Sequence, residues 1–189
     1  KGTYDSYGSA LYAKVVDTLA FLADMTAGVS IISIKNPEQM YLIKNITVPG
    51  QSMWLDIKDN VLYVSNKANG IRIFDISDKL NPVEKFLMPT TGTAGTLKIY
   101  GNLMIVAEGL NGVSFYDISD KYNPLKVGFY DTPGTAVNFD LKDNILFIAD
   151  KTMGTSILDI SDLQNIHLIS NITNIGSVNS VKIENNYLY

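Results

Sequence analysis

Residues 71–82 read IRIFDISDKLNP, residues 113–124 read VSFYDISDKYNP, and residues 155–166 read TSILDISDLQNI. Each stretch is a short apolar run followed by Asp-Ile-Ser-Asp, and each copy begins 42 residues after the previous one. Self-similarity at a fixed period of about 20–50 residues indicates a repeat architecture. The fold therefore has to be built from one structural unit used several times.

Two sets of glycines keep the same 42-residue step along the chain. They are Gly28, Gly70, Gly112 and Gly154 in one set, and Gly8, Gly50, Gly92, Gly134 and Gly176 in the other. A more diverged repeat, residues 12–53, precedes the three clear copies. Matching Pro37 to Pro82 predicts a loop after Ile34 that is three residues shorter than its counterpart, with the length recovered before Gly50.

Each repeat divides into four short apolar runs separated by turn residues. In one copy Asp59 and Asn60 precede the run Val61–Val64, and Gly70 precedes Ile71–Ile76. Asn, Asp and Gly tolerate the positive φ angles of tight hairpins. No segment keeps a helical period of about 3.6 residues, so helix is not expected. Four antiparallel strands in each repeat predict an all-β fold, a β-propeller with four-stranded blades, because propeller blades recur every ~40–50 residues.

The repeat predicts a single propeller segment that begins and ends within a blade. Whole blades span residues 10–51, 52–93, 94–135 and 136–177, while residues 1–9 end a preceding blade and residues 178–189 start a following one. In this scheme residues 1–5 form a fourth strand. We expect the remaining blades, of the same or another chain, to complete a ring of about six to eight, because an open row of blades exposes apolar faces.

The composition excludes several classes of function. With 15 basic and 19 acidic side chains the net charge is −4, so a nucleic-acid partner is not expected. The absence of Cys removes thiolate zinc sites, iron–sulfur clusters and thiol nucleophiles. The single histidine, His167, cannot form a histidine metal cluster. No apolar run is long enough for this segment to insert into a membrane.

The third run with its following turn, IRIFDISDKLNP and VSFYDISDKYNP, echoed by TSILDISD, resembles the LVIVD repeat of bacterial and archaeal cell-surface proteins. The resemblance covers essentially the whole chain, and the first repeat departs most, since VSIISIKNP has Ser33 where the others have Asp. It implies a β-propeller, an extracellular or cell-surface location, and an interaction or scaffold role. It implies no catalytic signature.

One position of the predicted innermost strand alternates in charge from repeat to repeat. The residues are Lys14, Asp56, Lys98, Asp140 and Lys182. Neighbouring blades would then place opposite charges side by side, whereas a ring of one sign would repel. We interpret this set as a structural charge ring held by salt bridges between blades.

A second polar position lies at the end of the second run, four residues before a repeat glycine. It is occupied by Asp24, Asn66, Glu108 and Asp150. Converging oxygens there would suit Ca²⁺, which takes about six to eight oxygen ligands. The alternative is that these side chains bond backbone amides of nearby loops. No close-spaced series of acidic ligands is present, so the loop role is preferred and no cofactor is predicted.

The carboxylates of the repeated Asp-Ile-Ser-Asp turns are tempting as acid–base pairs. They are Asp75, Asp78, Asp117, Asp120, Asp159 and Asp162. A reaction needs one asymmetric constellation, whereas these residues recur in each clear copy. We therefore predict that they form turns, that His167 is a surface residue, and that the chain carries no catalytic residue.

Aromatic and glycosylation positions are the remaining candidates for recognition. Trp54, the only tryptophan, opens an inner strand, and Tyr12 holds the same place one repeat earlier. Such rings could stack on a sugar or anchor a partner side chain, or simply pack between blades. The sequons at Asn45 and Asn171 fall at one repeat position and would carry glycans if the host glycosylates secreted proteins.

The sequence favours a non-catalytic propeller segment of an extracellular or cell-surface protein, a scaffold that binds protein or carbohydrate. One alternative is a propeller hydrolase or lyase whose channel site is completed by blades absent from this sequence. Another is a structural subunit of a surface assembly that packs through blade edges. The recurrence of the polar residues from repeat to repeat is the observation that argues against the enzyme.

Overall fold

The computed structural model describes residues 2–173 and 176–189. All regular elements in these residues are β-strands: β1 (Tyr12–Val16), β2 (Leu19–Ala23), β3 (Val29–Ser33), β4 (Tyr41–Ile46), β5 (Trp54–Lys58), β6 (Val61–Ser65), β7 (Ile71–Asp75), β8 (Val83–Met88), β9 (Leu97–Tyr100), β10 (Leu103–Ala107), β11 (Val113–Asp117), β12 (Leu125–Tyr130), β13 (Asn138–Lys142), β14 (Ile145–Ala149), β15 (Thr155–Asp159), β16 (His167–Ile172), β17 (Ile183–Glu184) and β18 (Tyr187–Leu188). Strands β1 to β16 form four four-stranded sheets, each from consecutive strands, and β17 pairs with β18. One four-stranded sheet per repeat confirms the predicted propeller blade.

The turn between the first and second strands of each sheet needs a residue with positive φ. The angle is 56° at Asp17, 49° at Asp59, 59° at Gly101 and 55° at Asp143. Asp and Gly enter this left-handed region more readily than most residues. The repeat therefore keeps Asp or Gly at this one position, and the two strands can reverse direction directly.

The connection between the third and fourth strands has the same length in the first repeat as in the second. Ser33 pairs with Tyr41 in the first sheet, and Asp75 pairs with Val83 in the second. The shorter loop predicted for the first repeat is therefore wrong, because Pro37 lies inside the turn and is not the counterpart of the later proline. The alternation of buried and exposed side chains sets strand register, and a proline in a turn does not.

Each outer strand carries an irregularity in its pairing. In the first sheet Ile31 is opposite Lys44 while Ile32 is opposite Leu42, so one outer-strand residue bulges. The same shift recurs in the other three sheets. A bulge twists an edge strand and interrupts its row of free backbone groups, which hinders pairing with another strand.

The residues before β1 form no strand in the part of the chain that the structure describes. The fourth strand predicted for the start of the chain is therefore not observed from residue 2 onward. A Cβ added to Gly2 would clash with the Pro37 carbonyl oxygen, so the segment packs closely on the first repeat's outer turn. It has packing contacts there in place of a sheet partner.

Two compact units divide the chain: residues up to Thr90 with Leu97–Ile99, and Thr91–Thr96 with Tyr100–Tyr189. The core of the first unit contains Phe21, Ala23, Val29, Ile31, Val48, Leu55, Leu62, Val64, Phe74 and Ile76. The core of the second unit contains Ile105, Ala107, Val113, Phe115, Ala136, Phe139, Leu146, Ile148, Leu158 and Ile160. In each unit one sheet face packs on the next, which explains why each sheet has an apolar face. No helix among the described residues could span a membrane.

Candidate functional site

Two ion pairs form between the alternating charges of successive repeats. Lys14 Nζ lies 2.8 Å from Asp56 Oδ1, and Lys182 Nζ lies 2.8 Å from Asp140 Oδ2. The side chains of Asp56 and Asp140 are only 10% and 8% exposed, whereas those of the lysines are 39% and 70% exposed. The hydrogen bond to Asp56 raises the pKa of Lys14, against the opposing effect of partial burial.

Both carboxylates also accept a backbone hydrogen bond from the following repeat. The Ile99 N–H donates to Asp56 Oδ2 at 3.0 Å, and the Ile183 N–H donates to Asp140 Oδ2 at 2.9 Å. Lys98, at the same position of the third repeat, makes interactions of its own. Each aspartate thus satisfies its charge with a lysine and a main-chain amide, which suits a role in joining sheets.

The carboxylates at the ends of the second strands are fully buried and hold the loop that enters their sheet. Asp150 Oδ1 accepts a hydrogen bond from Thr132 Oγ1 at 2.8 Å. Its Oδ2 accepts one from the Gly134 N–H at 3.1 Å and one from Ser156 Oγ at 3.2 Å. A buried carboxylate requires such donors, because leaving it unpaired would be very costly.

The other two carboxylates of this set have equivalent donors: Ser6, Gly8 and Ser30 for Asp24, and Thr91, Gly92 and Tyr116 for Glu108. Burial and the nearby Glu108 charge raise the pKa of the Tyr116 hydroxyl. The oxygens of Asp24 and Glu108 thus accept hydrogen bonds from the loop that enters their sheet and from the sheet itself. Across residues 2–173 and 176–189 no three acidic or histidine side chains converge as metal ligands.

Asn66, the fourth member of this set, bonds its loop in the opposite direction from the three carboxylates. Its Nδ2 donates to the Pro49 carbonyl oxygen, whereas the carboxylates accept hydrogen bonds from their loops. In this loop Gly50 has a φ of 101°, and Val48 stands where the neighbouring repeats have serine or threonine. An amide NH₂ is a donor and needs an acceptor, so the loop presents a carbonyl to it. The Asn66 Oδ1 is buried and has no hydrogen-bond partner among the described residues.

The second repeat also holds Arg72, the only arginine of the chain, at a position where its sister repeats have serine. Arg72 Nη1 lies 2.6 Å from Glu84 Oε1, and the arginine side chain is 13% exposed. Its Nε is buried without a hydrogen-bond partner in the described structure. Arg72 lines a cavity of about 330 Å³ together with Ala68, Asn69, Gly70, Leu87, Pro89 and Thr90. Our sequence analysis missed this site, although a lone arginine among serines was a usable signal.

The aromatic candidates stack on each other. The ring centroids of Tyr12 and Trp54 are 3.8 Å apart, with 18° between the ring planes, and both residues are half-buried. In later repeats the same position forms polar contacts, since Asn138 Nδ2 donates to Thr96 Oγ1 at 3.4 Å and Ser180 Oγ donates to Asn138 Oδ1 at 3.4 Å. The aromatic pair is therefore particular to the first two repeats.

The carboxylates of the Asp-Ile-Ser-Asp turns accept hydrogen bonds from residues two positions on. Asp117 Oδ1 accepts from the Ser119 N–H at 2.8 Å and from Ser119 Oγ at 2.6 Å. Both hydrogen bonds lower the pKa of Asp117, and the one from the Ser119 hydroxyl has the larger effect. His167 is 61% exposed, with Nε2 at 3.6 Å from Asp159 Oδ2. The aspartates therefore form turns, and His167 is an exposed side chain beside Asp159.

The two sequons lie on outer strands with half-buried asparagines. Asn45 Nδ2, the atom that would carry a glycan, donates to Ser30 Oγ at 3.2 Å. Asn171 occupies the equivalent place in β16, and its Oδ1 is buried without a partner in the described residues. The hydrogen bond of Asn45 Nδ2 and the buried oxygen of Asn171 disfavour modification in the folded state.

Comparison with known proteins agrees with this architecture. The chain is similar to a functionally unknown protein from Desulfotomaculum acetoxidans (TM-score 0.73, 12% identity, 97% of this chain and 62% of that one). It is also similar to the computationally designed Ika8 protein (TM-score 0.71, 11% identity, 95% and 54%) and to BamB from Moraxella catarrhalis (TM-score 0.67, 14% identity, 94% and 52%). The chain thus spans between half and two thirds of these structures.

No curated protein sequence matches the chain. The family model of the LVIVD repeat matches three times in tandem, at residues 49–90, 91–132 and 133–174. These matches cover most of the chain and coincide with the repeated sheets. The chain belongs to the LVIVD-repeat family of β-propeller proteins.

Proposed function

We propose that this chain is a non-catalytic binding scaffold of an extracellular or cell-surface protein, with its ligand contact at Tyr12 and Trp54. The observation that carries the proposal is the stacked, half-buried pair that these two rings form at the start of two inner strands. Aromatic rings at such positions offer flat apolar surface to a sugar ring or to a partner's side chain.

The polar side chains of the repeat support a scaffold in preference to an enzyme. The carboxylate oxygens of Asp56 and Asp150 are engaged in an ion pair and hydrogen bonds that hold the sheets and loops together. Those of Asp117 accept hydrogen bonds within a turn. A catalytic group must instead be free to exchange a proton or attack a substrate. The resemblance to cell-surface repeats supports the proposed location.

The single tryptophan allows a direct test of the binding role. Emission from Trp54 should shift saturably when the chain is titrated with soluble oligosaccharides, here cellotetraose, chitotetraose and mannotetraose. Tyr12→Ala should weaken binding by about tenfold, while Leu80→Ala, in an exposed turn at the opposite end of the second sheet from Trp54, should leave it unchanged.

A protein ligand needs a second arm of the same test. A photoreactive amino acid placed at position 12 in cells should form one dominant cross-linked product, and the same group at position 80 should not. If no sugar shifts the Trp54 emission and no cross-linked product forms at position 12, the binding proposal is overturned.

The proposed location is tested by treating intact cells with protease. A protein that is digested only after the cells are lysed would contradict an extracellular or cell-surface location.

Assembly through outer strands is a second candidate function, favoured by exposed apolar side chains there. They are Val83, Phe86 and Leu87 on β8, Leu125 and Phe129 on β12, and Leu168, Ile169 and Ile172 on β16. Edge strands with apolar surface are prone to associate. Sedimentation velocity should then show concentration-dependent oligomers that Leu87→Lys or Phe129→Lys disperses, and a monomer at all concentrations would reject this candidate.

A further inference from the structure

The second repeat departs from its sisters at positions that contact one another elsewhere. In the first repeat Ser30 Oγ donates to Asp24 Oδ2 at 3.2 Å, and the fourth repeat makes the equivalent bond at 3.2 Å. The second repeat has Arg72 and Asn66 at these two places. Glu84, which pairs with Arg72, stands where the other repeats have Leu or Lys. These linked changes set one repeat apart from the others.

The departure leaves one donor and one acceptor unsatisfied. Arg72 Nε and Asn66 Oδ1 are both buried, and neither has a hydrogen-bond partner in the described part of the chain. An unmade hydrogen bond at a buried polar atom is unfavourable. Because neither atom is open to solvent, a ligand would meet Arg72 through the part of its side chain that lines the neighbouring cavity.

The adjoining cavity has the size and lining for a small hydroxylated ligand. Its volume of about 330 Å³ lies at the lower end of the range for ligand pockets. The Asn69 amide and the Thr90 hydroxyl add polar groups to the Arg72 side, while Leu87 and Pro89 supply apolar surface. A sugar ring presents the same combination, with hydroxyls at its edge and C–H groups on its face.

We propose that this cavity is a saccharide-binding subsite, with Arg72 as the residue that defines it. Glu84 compensates the guanidinium charge at 2.6 Å, so the site favours a neutral polyol over an anion. The Arg72–Glu84 pair offers donors and acceptors together, as neighbouring hydroxyls require. This inference rests on the proposed carbohydrate role and adds a second contact, separate from Tyr12 and Trp54.

Nuclear magnetic resonance can observe this one site, because a chain with one arginine has one Nε–H cross-peak. The labelled 189-residue chain is titrated with the methyl glycosides of glucose, galactose, mannose and N-acetylglucosamine. We expect saturable shifts of the Arg72 Nε–H signal and of the Asn69 and Gly70 amides with at least one sugar.

Arg72→Ser is the matched variant, because serine is the residue of the sister repeats and should preserve the fold. It should weaken binding by about tenfold or more, measured from the Asn69 and Gly70 signals. Lys126→Ser, which removes an exposed charge from β12, should leave binding unchanged.

Three outcomes would overturn the subsite. They are the absence of saturable shifts with all four sugars, shifts that survive Arg72→Ser unchanged, and a transfer of magnetisation from water to the Arg72 Nε–H that no sugar alters. The last result would assign the unpaired atoms to a bound water. The subsite is read at Arg72 and the proposed function at Trp54, so the failure of one is distinguishable from the failure of the other.

Discussion

Lys14 Nζ lies 2.8 Å from Asp56 Oδ1, and the two residues come from the first strands of successive repeats. The aspartate is the buried partner and also receives the Ile99 N–H from a third repeat. One carboxylate thus contacts the repeats before and after its own. The lysine can return to water if the pair is broken, whereas the aspartate and the main-chain amide cannot do so readily.

This asymmetry predicts unequal costs for removing the two partners. Asp56→Asn should lower the free energy of unfolding by about 2–3 kcal/mol, because the ion pair with Lys14 and the hydrogen bond from the Ile99 N–H are both weakened at a buried side chain. Lys14→Met should cost about 1 kcal/mol or less, since the lysine is partly exposed. Urea denaturation measures both, with exposed Asp131→Asn as the control, and equal losses for the two variants would contradict this account.

Exchanging amide and carboxylate at the end of the second strand should be unfavourable in both directions. Asp150→Asn places an NH₂ group against donors such as Thr132 Oγ1, and Asn66→Asp places a carboxylate against the Pro49 carbonyl oxygen. We expect each variant to lose about 1–3 kcal/mol in urea denaturation, compared with Asn123→Asp in an exposed turn. An unchanged free energy of unfolding for Asn66→Asp would contradict this prediction, because it would mean that the loop can present an N–H in place of the Pro49 carbonyl without cost.

Tyr116 should make the fold sensitive to alkaline pH. Its pKa is raised in the folded protein above the ordinary value of 10.0. The corresponding stabilisation is therefore complete below about pH 10 and is lost as the pH rises further, because the unfolded chain releases the proton first. Tyr116→Phe should make the fall in unfolding free energy above pH 10 shallower by up to about 1.4 kcal/mol per pH unit. An unchanged slope would contradict the prediction.

The Asp-Ile-Ser-Asp turns predict a difference between two serine variants. The Ser119 hydroxyl is the main cause of the lowered pKa of Asp117, whereas the Ser161 backbone amide is the main cause at Asp159. Ser119→Ala should therefore raise the pKa of Asp117 more than Ser161→Ala raises that of Asp159. Carbon-detected NMR titration of the carboxyl groups measures both values, and equal shifts would refute the assignment of causes.

Much of the fold followed from local patterns. Apolar runs of strand length, with Asp59-Asn60 or Gly101 between them, predicted the hairpins that the structure contains. The misplaced counterpart of Pro37 has a physical reason, since a turn accepts proline at more than one position while strand register depends on side-chain burial. The alternating charges at positions 14 and 56 predicted neighbours of opposite sign, and the two side chains do lie together.

The candidate site was less accessible from sequence. The preference for loop contacts over calcium rested on spacing, and the donors to Asp150 come from residues as distant as Thr132. The backbone amide on Asp56 and the unsatisfied atoms of Asn66 and Arg72 leave no pattern in a single repeat. Only comparison among repeats points to Arg72, as one arginine among serines.

Strands, turns and the repeat length are determined by residues close together along the chain, because backbone conformation and side-chain alternation are local properties. The blade and its family membership could therefore be read before any coordinates. Which groups are buried together, and which are left without a partner, depends on surfaces that meet only when one sheet packs on the next. The hydrogen bonds of Asp56 and the cavity beside Arg72 belong to this second kind, since packing places residues in contact irrespective of their separation in the chain.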